Sequence, residues 1–76
     1  MTKTRFESLT ILHARILRDM DKLGQLAAAE QKALDKLPPF MQESPKAAEM
    51  ELAVVNILSA ISALDEAEEY VAELLS

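Results

Sequence analysis

Leu37-Pro38-Pro39-Phe40-Met41-Gln42-Glu43-Ser44-Pro45 is the one stretch of this 76-residue chain where helix breakers gather. It holds all three prolines. A proline pushes the residue before it out of the helical region, so a helix arriving from the N-terminal side ends near Leu37. Ser44-Pro45 is the opposite signal. A serine side chain caps a helix start, and a proline with its fixed φ suits the first helical position. On either side of this stretch the only breaker is Gly24, and Ala, Leu and Glu, all strong helix formers, dominate. Read outward from the turn, the chain is one helix over about 4–37, a turn over 38–44 and a second helix over about 45–75. Together they make a single domain over 1–76. β-branched residues are few and do not alternate with polar ones, which excludes a sheet.

The first helix carries a seam. Phe6, Leu9, His13, Ile16, Met20, Leu23, Ala27, Glu30, Leu34 and Leu37 follow one another in alternating steps of three and four, the spacing of a coiled-coil contact line. Leu12 and Leu26 flank it on one side and Leu17 on the other. Gly24 interrupts the helix and is read as a point of close approach, since an interior glycine costs ~1 kcal/mol against alanine. The second helix is broader. Met50, Val54, Ile57, Ile61, Leu64, Val71 and Leu75 form one stripe, with Leu58 at its side. Ala53, Ala60, Ala67 and Leu74 form another beside it. The stripes span roughly 200° of helix, about twice what one core contact requires.

Two helices of similar length joined by a short loop fold back antiparallel. The expected fold is therefore all-α: an antiparallel two-helix hairpin, coiled-coil-like, completed by dimerisation or by a partner protein. With equal rise per residue, facing positions sum to about 82. The charges fit this arrangement. Up to Leu37 there are seven basic residues against five acidic, and from Pro38 onward one against eight. The fold-back is expected to bring Arg15 and Arg18 near Asp65, Glu66 and Glu69.

Composition narrows the function. With no cysteine, disulfides and thiolate metal sites are excluded, and one histidine leaves little scope for a compact metal centre. No nucleophile–base pair, glycine-rich phosphate loop or metal-ligand spacing is present, so no catalytic residue, cofactor or small-molecule substrate is expected. The net charge of −5 makes nucleic acid a poor partner. No apolar run reads as membrane-spanning and no signal peptide opens the chain, so the expected location is the cytoplasm, with no membrane partner.

Few residues stand out against a plain structural background. His13 lies in the seam opposite Glu68. The pair is either a buried one that fixes register or senses pH, or two residues near the open end that reach water. Glu30, near Glu49 and Glu51, reads as a glutamate whose head reaches solvent or contacts a partner, rather than as a metal ligand. Asp65, Glu66, Glu68, Glu69 and Glu73 form either a solvated face or an acidic docking surface. The alanines at 53, 60 and 67 permit close helix approach, either within the hairpin or to a partner helix. Phe40 and Met41 either cap the core or stand out as an anchor. The partner-binding set is Leu12, Leu26, Ala53, Leu58, Ala60, Ala67 and Leu74.

The opening Thr4-Arg5-Phe6-Glu7-Ser8-Leu9, followed by Leu12-His13-Ala14-Arg15, is similar to the start of some small co-chaperones of type III secretion systems. The acidic, cysteine-free hairpin layout resembles that family over most of the chain, and the local similarity covers the first turns of helix 1. The resemblance implies a bacterial cytoplasmic protein that works with a helical-repeat chaperone to hold the needle subunit soluble. The alternative is a homodimeric four-helix bundle resembling the small plasmid RNA-binding hairpin dimers. It would use Arg15, Arg18, Lys22 and Lys32. Either way the apolar surface exceeds what two helices cover, and the hairpin is expected not to act alone.

Overall fold

The computed structural model describes all 76 residues and contains two long helices and no strand. Helix α1 spans Lys3–Asp35, a short 3₁₀ turn spans Pro39–Met41, and helix α2 spans Pro45–Leu75. The two long helices pack against each other as an antiparallel hairpin.

Local chemistry sets each boundary. Thr2 is extended, and its Oγ1 accepts the Arg5 N–H at 3.3 Å to cap α1. Ser44 is also extended, and its Oγ accepts the Ala47 N–H at 3.2 Å while donating to the Met41 carbonyl at 2.6 Å. One hydroxyl thus starts α2 and ties it to the turn. Helix α1 stops at Asp35, two residues before the expected end. Lys36 closes the last turn, and Leu37 makes only the tighter bond to Leu34, because a residue before proline cannot continue the helix. The freed carbonyls find a side chain. Gln42 Nε2 donates to Leu37 O at 2.8 Å and to Leu34 O at 3.3 Å. A turn side chain therefore satisfies the end of the preceding helix.

The expected seam is the contact line. On α1 every seam position from Leu9 to Leu37 is shielded from solvent, wholly or in part. On α2 the shielded line is Ala47, Met50, Val54, Ile57, Ile61, Leu64, Glu68, Val71 and Leu75, again in steps of three and four. Phe6 is the exception at 42% exposed. By register its neighbour would be Leu75, where α2 ends, so the first turn of α1 has little to pack on.

Burial is concentrated at the turn. Only Ala27, Leu34, Ala47, Met50 and Val54 are fully buried, and Leu34, Ala47 and Met50 form one cluster with Leu37 packed against it. Phe40 does not cap this cluster. It is 84% exposed, at the middle of the 3₁₀ turn, while Met41 turns inward. Pro38 and Pro39 fix the turn backbone, and a single 3₁₀ turn cannot direct adjacent side chains to the same side.

Gly24 corrects another expectation. A Cβ built there meets no atom within 4 Å, so no close approach within the hairpin requires it. Gly24→Ala is expected to stabilise the chain by about 1 kcal/mol through backbone entropy alone. Thermal melting should then rise by roughly 4–8 °C. A fall in melting temperature would show that the position is crowded.

Candidate functional site

The hairpin is a rod, 59 Å long and 15 Å across in each other direction. Its radius of gyration is 17.3 Å, where a compact domain of this length has about 11 Å. Its accessible surface is 5765 Å², against roughly 4,600 Å² for a globular monomer of its mass. Twelve large hydrophobic side chains are exposed, among them Ile11, Leu12, Leu26, Leu58 and Leu74. A single seam cannot cover stripes on both of its flanks.

The register puts five of these side chains on two long faces and leaves Ile11, Leu52, Val55 and Tyr70 on the outer edges. Antiparallel helices are related by a twofold axis normal to their common plane, so equivalent flanks of the two seams come to the same face. The residue just before each first seam position lies on one face. There α1 presents Leu12 and Leu26, and α2 presents Ala53, Ala60, Ala67 and Leu74. Apart from partly shielded Ala53, all of these are exposed. Leu58 is parted from the rest of the expected partner-binding set. It lies on the opposite face with Leu17 and Gly24. The alanines at 60 and 67 are therefore not held small by packing inside the hairpin.

The charges sort just as clearly. The outer edge of α1 beside the first face carries Arg15, Arg18, Lys22, Lys32 and Lys36, with no acidic residue among them. The outer edge of α2 on that side carries Glu49, Glu66 and Glu73. The second face and its edges carry Glu7, Asp21, Asp35, Glu51, Asp65 and Glu69. Arg15 and Arg18 make no ion pair with Asp65, Glu66 or Glu69. Their side chains leave from the outer edge of α1, and the acidic residues of α2 lie across the hairpin's width. The charge asymmetry thus does not act as pairing within one hairpin.

His13 and Glu68 do meet. His13 Nε2 lies 2.8 Å from Glu68 Oε1, and their side chains are 22% and 20% exposed. The pair is neither sealed nor open. It is the chain's one cross-helix side-chain hydrogen bond, and it stands within one residue of the expected register. A double-mutant cycle with His13→Leu and Glu68→Leu is expected to give a favourable coupling of roughly 0.5–1.5 kcal/mol. A coupling of zero in urea unfolding would mean that the seam alone sets the alignment.

Elsewhere the surface offers little for chemistry. Glu68, Glu69, Ala72, Glu73 and Ser76 line a shallow, open concavity along α2. Glu30 is part-shielded in the seam, and no three acidic or histidine side chains converge as a metal site would require. Helix α2 bears on the expectation about membranes. It contains an 18-residue window of mean hydropathy 1.5, long and apolar enough to cross a membrane by length and composition. Alanine makes it easy to overlook, because each residue adds little hydropathy. Its longest uncharged run, 52–64, has 13 residues, short of the ~20 that hydrocarbon demands.

The chain matches no known protein family. No curated protein and no solved structure is similar to it either. Its surface is that of a rod whose first face is apolar, edged in basic residues on α1 and acidic residues on α2.

Two signals for this face were present in the sequence. The seven-residue recurrence of alanines pointed to it. The segregation of charge within α1, basic on one flank and acidic on the other, appears only when residues are sorted by seam position rather than by chain half.

Proposed function

We propose that this is a non-enzymatic protein-binding hairpin, an adaptor or co-chaperone whose apolar face covers a helix of another chain. One observation carries the reading: about 1,100 Å² more accessible surface than a compact monomer of its mass would have. Burying apolar area is worth ~25 cal/mol per Å², so a face of this size is a strong reason to associate. The resemblance of the opening residues supports a role in the bacterial cytoplasm, holding a type III secretion needle subunit soluble beside a helical-repeat chaperone. Wrapping the subunit's apolar helix would block its self-assembly.

The test is reconstitution with a needle subunit and its helical-repeat chaperone, followed by sedimentation and light scattering. The expected result is a soluble complex containing all three, with polymerisation of the subunit suppressed. A chain that stays a folded, solitary monomer at every concentration and leaves polymerisation unchanged overturns the reading.

A further inference from the structure

We infer that the apolar face of the free hairpin is occupied by a second copy of this chain, stacked face to face with both turns at the same end. The inference rests on the reading that this face is a binding surface, and it names the partner and the orientation.

Area supports a second copy. The long face measures roughly 900 Å² from the hairpin's own dimensions, close to the ~800 Å² that each side of a stable interface contributes. By the same register a twofold pair would pack Leu12 of α1 over the small Ala67 of the partner's α2 and Leu26 over its Ala53, with Ala60 nearest Asp19. Large side chains would meet small ones at both leucines, as close helix packing requires. A twofold interface uses the same patch on both copies, so the patch must be self-complementary.

Charge selects both the face and the orientation. The second face carries six acidic residues along its edges and would repel its own copy. On the first face two stackings exist. With the turns at opposite ends, α1 lies on the partner's α1. The edge of Arg15, Arg18, Lys22, Lys32 and Lys36 then meets itself, and the acidic edge of α2 does the same. With the turns together, α1 lies on the partner's α2 and heights along the rod are kept. His13 opposite Glu68 fixes those heights. By that register Glu66 of the partner subunit stands level with Arg15, and Glu49 of the partner subunit stands level with Lys32. Basic edge meets acidic edge at matching positions on both sides of the bundle. Asp19 is the one acidic residue on the face itself, and Arg15 and Lys22 lie one turn to either side of it. Of the partners that the sequence suggested for Arg15 and Arg18, Glu66 is thus met between two copies, while Asp65 and Glu69 stay on the second face.

The absence of cysteine makes the orientation directly measurable. Phe40 stands at the tip of the turn and is 84% exposed, so Phe40→Cys adds a spin label without touching the hairpin core. The full chain is expected to sediment as a dimer at micromolar concentration, with label-to-label distances under about 30 Å, a few helix spacings. Ala60→Glu should make it monomeric, and Leu58→Glu, on the other face, should not. Arg15→Glu should weaken the dimer at least tenfold, and adding Glu66→Arg should restore it. A dimer with labels about a rod length apart overturns the inference, as does a monomer that still binds the needle-subunit complex. In both of these cases the binding surface stands and only its occupant or orientation fails. A dimer untouched by Ala60→Glu, or a chain that partitions into neutral phosphatidylcholine vesicles in place of dimerising, also overturns it. A solitary folded monomer that binds nothing ends the underlying reading as well.

Discussion

Leu34→Ala is expected to destabilise the hairpin by roughly 2–4 kcal/mol, among the largest losses any single truncation can cause here. Leu34 sits in the cluster with Ala47 and Met50, against Leu37, where the chain concentrates its full burial. Removing its isobutyl group loses transfer free energy and leaves a void that the rigid turn cannot close. Small domains hold about 5 kcal/mol in total, so the variant should be largely unfolded at physiological temperature, with melting lowered by at least roughly 10 °C. Leu17→Ala makes the control. Leu17 is exposed on the acidic face, and its truncation should change stability by no more than about 0.5 kcal/mol. Urea unfolding of the two variants decides. Equal losses would mean that stability is spread along the rod and that the turn end is no core.

That contrast shows which parts of the fold were legible beforehand. The seam from Leu9 to Leu37 was readable because steps of three and four leave one line of residues for the partner helix. Ser44-Pro45 was readable because a cap and a fixed φ act locally. Phe6 was misjudged because its exposure depends on where the other helix ends, which no local pattern in α1 encodes. Gly24 was read as a contact because glycine costs a helix stability. The structure leaves open space there, and nothing in the hairpin explains why the residue is not alanine. Gln42 was passed over: its hold on the Leu34 and Leu37 carbonyls depends on the path of the turn, not on a periodic signal. Arg15 and Arg18 were placed at the correct height, but height alone does not say whether a side chain leaves from the inner or the outer edge. The candidate site shares this limit. Its residues were named by spacing, and only the antiparallel register divides Leu58 from Leu12 and Leu26 on the other helix.

Two alanines that look alike in sequence should respond in opposite ways to enlargement. Ala47 is 1% exposed, in the buried cluster between Leu34 and Met50. Ala47→Leu forces three added carbons into that contact and is expected to cost about 1–3 kcal/mol. Because the strain is internal, the loss should appear equally at every protein concentration. Ala60 has no such neighbour, being exposed on the outer flank of α2. Leucine there is an equally sound helix former and should leave the separate hairpin within about 0.5 kcal/mol of the parent. Its cost should appear only where the parent is associated, because association makes apparent stability depend on concentration. Denaturation of both variants over a hundredfold range of concentration separates the two origins of smallness. Parallel losses at both sites would place Ala60 inside the hairpin's own packing and remove the face on which the proposed assembly depends.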